Sequence, residues 1–157
     1  MRERPTVRVI LFDPDGRVLL IRGRTPGTDE RFWFTPGGGL DPGESAIDGA
    51  RRELAEETGL AAELGPVVWL REGIGTLHSG ETVLFKERYF IGRCRSAVLT
   101  RDGWEAHELE LMDDMRWWTL AEVVGSQETI YPEEFVRLVG DLAGGLLPDP
   151  PLLLART

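Results

Sequence analysis

The sequence predicts a single mixed α/β domain: one mixed sheet with helices packed against it, in the α/β or α+β range. Three observations carry this. Short β-branched runs alternate with helical patterns without a strict βαβα repeat. Two strand pairs read as antiparallel. And 157 residues are enough to bury one core without disulfide or metal staples.

The elements come in chain order. Thr6–Phe12 is β-branched and apolar and ends at the turn tetrapeptide Asp13-Pro14-Asp15-Gly16, after which Val18–Ile21 resumes. Residues 6–22 therefore predict a hairpin. Arg22–Arg31 reads as a polar loop. Phe32-Trp33-Phe34 is a short aromatic strand, stopped by Thr35-Pro36-Gly37-Gly38-Gly39. Ser45–Thr58 predicts a helix, with Ile47, Ala50 and Leu54 at helical spacing and Gly59 placed as its C-cap.

Further strands are expected at Val67–Leu70, Thr82–Ile91 and Arg116–Trp118. Leu120–Val124 predicts a short helix. Pro132–Leu142 predicts a terminal helix with Phe135, Leu138, Val139 and Leu142 on one face. Pro148-Asp149-Pro150-Pro151 breaks its continuation, so the domain is expected over 1–147 and a tail over 148–157.

Composition removes several classes. Hydrophobic residues make up 41% and charged residues 29%, the balance of a globular chain rather than a disordered one. No apolar run approaches the ~20 residues of a membrane span, so no membrane partner is expected. Cys94 is the only cysteine and cannot form an internal disulfide, which fits a reducing compartment, here the cytoplasm. The formal net charge of −9 disfavours nucleic acid as a partner. An acidic protein that handles phosphates needs cations to bridge the two negative partners.

The chemistry concentrates between Gly38 and Leu60. On the expected helix, Glu53, Glu56 and Glu57 share one side, three or four residues apart. Three like charges on one face weaken an isolated helix. Arg52, four before Glu56, can pair with it, and a divalent cation can neutralise the rest. Carboxylate oxygens are hard ligands suited to Mg²⁺ or Mn²⁺. The glycines ahead of the helix permit close backbone approach. The bland alternative is an exposed acidic helix.

The full spacing changes that balance. Gly38, then Glu44 six residues on, then Arg52-Glu53-Leu54-Ala55-Glu56-Glu57-Thr58-Gly59-Leu60 resembles the motif of the Nudix hydrolases (MutT-like) at every fixed position. The hairpin, the Trp33–Gly39 approach and the Arg116–Leu120 segment extend the resemblance over most of the chain.

The resemblance implies an α/β/α sandwich around a mixed sheet, with a loop-helix-loop catalytic box. It implies metal-dependent hydrolysis of the diphosphate linkage in a nucleoside diphosphate joined to another moiety. Glu53, Glu56 and Glu57 are then the metal-binding carboxylates, with the Gly38 carbonyl as a further ligand for Mg²⁺ or Mn²⁺. Arg52 orients a catalytic glutamate, among which Glu53 and Glu57 are candidates. Glu44 and Gly59 are structural parts of the box, Glu44 pairing with Arg52. Family members take the general base either from the box or from a later loop; here Glu108, in an expected loop Trp104–Glu110, is the choice over its neighbour His107.

Other residues are weighed against ordinary packing. Arg22 and Arg24 are candidate phosphate grips, against surface pairing. Trp33 is a candidate for stacking on a base, against the core. Trp117 and Trp118 should point to opposite faces. Tyr131-Pro132 reads as structural, and His78 is given no role.

Substrate identity stays open. The proline that often marks ADP-ribose hydrolases is missing at Gly75-Thr76, the tyrosine of diadenosine-polyphosphate hydrolases is missing at Leu77-His78, and the longer coenzyme A motif is absent. The expected partner is a nucleotide-type small molecule, and a homodimer is compatible with the Leu-rich tail. The competing reading is a nucleotide-sensing module of the same fold without turnover. Retention of all box glutamates speaks against it. Capped or triphosphorylated RNA ends are a further rival, which an arginine strip on one face would revive.

Overall fold

A computed structural model of the chain describes residues 1–77 and 79–155; His78, Arg156 and Thr157 lie outside the described residues. The first strands are β1 (Glu3–Phe12), β2 (Val18–Arg24), β3 (Arg31–Phe34) and β4 (Gly37–Gly39). Helix α1 (Ala46–Thr58) is followed by the long strands β5 (Glu63–Thr76) and β6 (Thr82–Arg93). Then come α2 (Ala106–Leu111), β7 (Met112–Trp118), α3 (Leu120–Gly125), α4 (Phe135–Ala143) and β8 (Leu152–Leu153).

The sheet is mixed. β1 runs parallel to β6 from Glu3↔Leu84 to Phe12↔Arg93, and antiparallel to β4 on its other side. β2 touches β1 only at Phe12↔Val18, then departs to pair with β3 and β7. The expected hairpin therefore opens like a fork, and its two arms seed two halves of the sheet. The register of β5 shifts twice between Leu64 and Trp69. Gly65-Pro66 sits in that stretch, and proline has no N–H to give the ladder.

Alternation along β1 builds two cores. Val7, Val9 and Leu11 face α1 and pack with Ala50 and Leu54; Ile10 and Phe12 face the other way and pack with Phe135, Val139 and Leu142 of α4. A helix on each face of one sheet is the α/β/α layering expected. Ser45 caps α1 through its hydroxyl, which accepts from the Asp48 N–H at 3.2 Å. Gly59 closes α1 in the left-handed region at φ 74°, its N–H bonded to Ala55 O.

Three segments differ from the sequence reading. Gly37–Gly39 does not merely stop β3; it forms β4 against Thr6–Arg8. The expected loop around Glu108 contains α2, whose first turn is closed by a reciprocal capping box between Glu105 and Glu108. And the expected tail contributes β8, which pairs in parallel with Trp69-Leu70, while Leu154 is buried. Leu154 gains burial there and the segment gains backbone hydrogen bonds that a solvated end would lack, while Leu152 and Leu153 stay exposed.

Candidate active site

The box begins where β4 hands the chain to α1. Arg52 is its hub. Its Nε donates to Glu44 Oε2 at 2.8 Å and its Nη2 donates to Glu44 Oε1 at 2.9 Å. Nη2 also donates to the Gly39 carbonyl at 3.0 Å. Nη1 reaches Glu53 at 3.1 Å and Glu56 at 3.2 Å. The Arg52 guanidinium, and after it the Asp41 N–H, hold the Glu44 carboxyl down to about 2. The pairing of Glu44 with Arg52 is thus as expected, and Arg52 touches two of the three expected metal carboxylates.

Glu57 points the other way. It is 2% exposed, and its Oε1 accepts from the Gly37 N–H at 2.9 Å. Burial pushes its pKa well above the ordinary carboxylate value; Arg8 opposes this, while Glu53 and Glu108 add to it. Glu53 is raised as well, first by burial, with Arg52 opposing. Gly38 explains how Glu53 fits: a Cβ there would lie 2.5 Å from the Glu53 carboxylate. Trp104 supports the same helix from behind, its indole N–H donating to the Glu57 carbonyl at 2.6 Å.

Among the described residues, no three His, Cys, Asp or Glu side chains are already arranged around a metal position. Glu53 and Glu56 are drawn to Arg52, and Glu57 to β4. The donor set nonetheless suits a hard divalent cation. Two carboxylates that resist ionisation lie near each other, Gly38 packs against one of them, and the side-chain donors are all oxygen.

Beside the box lies a cavity of about 560 Å³, lined by Arg8, Arg24, Arg71, Glu87 and Glu108 and by aromatic rings. None of Glu53, Glu56 and Glu57 is among its lining residues; Arg8 and Glu108 connect it electrostatically to Glu57. Arg8 Nε donates to Glu87 Oε2 at 3.0 Å, Arg8 Nη1 to the Thr35 carbonyl at 3.3 Å, and Arg71 Nη1 to Glu87 Oε1.

The other expected residues divide. Glu108 lines the cavity from α2, one oxygen accepting from the Glu105 N–H. His107 lines it too, and its Nδ1 lies 3.6 Å from Glu105. Arg24 lines it and donates to the Glu110 carbonyl at 2.8 Å. Arg22 does not; it pairs with Asp113 at 2.7 Å.

Trp33 is also elsewhere. It is a core residue, 2% exposed, edge-on to Trp118 at 5.0 Å, with its N–H given to Glu128. The reason is strand alternation. On β3, Phe32 and Phe34 take the cavity face, which sends Trp33 to the opposite one. Trp118 is core, and Trp117 gives its N–H to the Ala97 carbonyl; neither lines the cavity. Tyr131, read as structural, lines the cavity against Phe32 at 5.6 Å.

The sequence reading passed over Arg8, Arg71 and Glu87. A signal was present for Arg8, a single charge at Val7-Arg8-Val9; Glu87 lies within the charge run Lys86-Glu87-Arg88 and Arg71 beside Glu72, patterns that read as a solvated strand face. Buried charges are retained only when paired.

Comparison with known proteins decides the family. The NUDIX domain family matches residues 2–139. The chain belongs to the Nudix family.

Among its Nudix relatives, the RNA pyrophosphohydrolase of Teredinibacter turnerae is 32% identical over 152 residues, 87% of this chain and 85% of that protein. The RNA pyrophosphohydrolase of Caulobacter vibrioides is 51% identical over 61 residues, 39% of this chain. The chain spans only about a third of the length of the Caulobacter relatives, 35%. The solved Nudix hydrolase from Nitrosomonas europaea superposes with a TM-score of 0.67 at 23% identity, covering 93% of this chain and 92% of that one. These structural neighbours share the fold. Nudix hydrolases as a family work with divalent metal ions. No helix of the described residues is long and apolar enough to cross a membrane.

Proposed function

We propose that this Nudix chain hydrolyses the diphosphate linkage of a nucleoside diphosphate derivative, with Mg²⁺ or Mn²⁺ held by Glu53, Glu56, Glu57 and the Gly38 carbonyl. One observation carries the reading. Buried Glu57 and half-buried Glu53, both with raised pKa values, are coupled through Arg8 to a cavity of about 560 Å³ that combines guanidinium groups with aromatic walls. That volume suits a nucleotide-sized ligand.

Each residue then has a task. Arg52, fixed by Glu44 and Gly39, orients Glu53 and Glu56. Glu57 is aimed by the Gly37 N–H. Arg24 meets phosphate charge from the cavity wall. Glu108 accepts the proton of the attacking water on the oxygen that its cap bond leaves free. When bound, a divalent ion supplies charge neutralisation on the diphosphate oxygens. Water adds to phosphorus, the bridging P–O bond breaks, and two phosphate-bearing products leave. The buried Cys94 supports a reducing, cytoplasmic setting.

A second reading has an observation behind it. Both relatives described above carry the name RNA pyrophosphohydrolase, so RNA joins the candidate substrates despite the net charge of −9. The test is phosphate or pyrophosphate release from a panel. It holds nucleoside triphosphates, ADP-ribose, nucleotide sugars, dinucleoside polyphosphates and 5′-triphosphorylated RNA. Each is run with Mg²⁺ and with Mn²⁺, on the wild type and on Glu57→Gln. Turnover of one class that collapses in the variant supports the hydrolase. Tight nucleotide binding without turnover of any compound makes the chain a sensor.

A further inference from the structure

Arg8 stands where the box meets the cavity. On β1 it is the register partner of Gly37, and a Cβ on Gly37 would lie 2.8 Å from the Arg8 Cδ. Gly37 in turn gives its N–H to Glu57. Arg8 is the one cation among the principal charges acting on Glu57, and it acts on Glu53 as well. The same side chain lines the cavity, which none of the three box glutamates does. Arg24, the cation on β2, does not figure among the principal charges on either glutamate.

The donors of Arg8 are only partly used. Nε is given to Glu87, and Nη1 to the Thr35 carbonyl. Nη2 makes no hydrogen bond among the described residues, and 23% of the side chain stays exposed. The Phe34 ring, its centroid 5.7 Å from the guanidinium, flanks it. A guanidinium has five N–H donors and no acceptor, so an unused edge calls for an anion. Glu87 does not need Arg8 for charge balance, because Arg71 holds its other oxygen. Arg8 is thus anchored at one end and offers donors at the other, beside the box.

We infer that Arg8 grips the substrate diphosphate, at the phosphoryl group that carries the moiety seated in the cavity. Two non-bridging phosphate oxygens match the spacing of a guanidinium fork. Charge that builds on the diphosphate as the bridging P–O bond breaks meets a donor already fixed in place by Glu87 and Thr35. The order is then box, diphosphate at Arg8, and the attached group against the aromatic walls. This assignment rests on the proposed hydrolysis, which supplies the anion.

The test compares wild type with Arg8→Met in the full chain. Calorimetry measures Mn²⁺ alone, then methylenediphosphonate, a diphosphate that cannot be hydrolysed, added to the Mn²⁺-loaded protein. kcat/KM is measured on the best substrate of the panel above. In Arg8→Met, diphosphonate affinity and kcat/KM should each fall by about tenfold or more. Mn²⁺ affinity should hold or rise, because a cation beside the carboxylates is gone. Equal weakening of Mn²⁺ and diphosphonate would make Arg8 a structural support and overturn the assignment. Diphosphonate affinity within about threefold of wild type, with turnover intact, also overturns it and leaves the hydrolase standing. Diphosphonate binding that depends on Arg8, without turnover of any panel compound, keeps the assignment and removes the hydrolase. If Arg8→Met does not fold, Arg8→Lys decides: it keeps a cation beside Glu87 but loses the planar edge. Its diphosphonate affinity should fall by about threefold or more, and wild-type affinity there overturns the proposal.

Discussion

Arg52 grips both oxygens of Glu44, at 2.8 and 2.9 Å, while a third nitrogen faces Glu53 and Glu56. The pair acts as a bracket: Glu44 fixes the guanidinium, and the guanidinium fixes the carboxylates. Arg52→Gln should lower kcat by about 10–100-fold, the usual cost of losing a residue that orients metal ligands. Steady-state kinetics and a thermal melt would check that the loss exceeds any loss of fold.

Glu44 also gives a pH signature. Its folded pKa is about 2, below the ordinary 4.5, so its stabilisation is complete above 4.5. It is lost as pH falls from there through about 2. In Glu44→Gln, the fall of Tm across that acid window should be shallower than in the wild type. Melting curves from neutral pH downward would show it.

Glu57 has the opposite sign. Its folded pKa is raised by burial, so the folded state binds a proton more tightly than the unfolded chain. Stability therefore falls as pH rises from the ordinary carboxylate value toward the raised one. Glu57→Gln removes this cost and keeps an oxygen for the Gly37 N–H. In EDTA near neutral pH the variant should melt above the wild type. Adding Mg²⁺ or Mn²⁺ should raise Tm in the wild type and much less in the variant. Activity should drop by about 10²-fold or more. A variant that melts lower than wild type in EDTA would contradict the account.

Gly38→Ala puts a Cβ 2.5 Å from the Glu53 carboxylate. The side chain must swing away from the box. Overpacking of this kind costs about 1–3 kcal/mol. Metal affinity, read by calorimetry, should fall more than stability does.

Trp33 belongs to the core beside Trp118 and not to the cavity. Its replacement by Phe should cost about 1–3 kcal/mol by urea unfolding. KM should stay within about twofold, because no face of the indole lines the cavity.

The contrast between box and cavity shows what a sequence exposes. The box was legible because its residues are close in the chain: Glu44, Arg52 and Glu53 meet through one loop and one helix. α1 was legible from Ser45, the helical spacing of its apolar residues, and Gly59. The cavity is assembled from β1, β2, β3, β5, β6 and α2. Arg8 and Glu87 are 79 residues apart and meet only through the parallel register Thr6↔Glu87 and Arg8↔Tyr89. No local pattern encodes that register. Of the two readings weighed for Trp33, the structure takes the core one for a local reason, since alternation with Phe32 and Phe34 permits only one of the two faces.

The short pairing of Leu152-Leu153 with β5 bears on how the protein behaves in a crowded solution. β5 would otherwise present unpaired N–H and C=O groups beside Trp69, an open template for another chain. β8 occupies that edge, and two backbone N–H groups just beyond it are fastened in turn: Leu154 N–H to the Leu70 carbonyl and Ala155 N–H to Glu134. The segment works as a selvedge on the sheet, finishing it against fraying and against unwanted stitching to a neighbour.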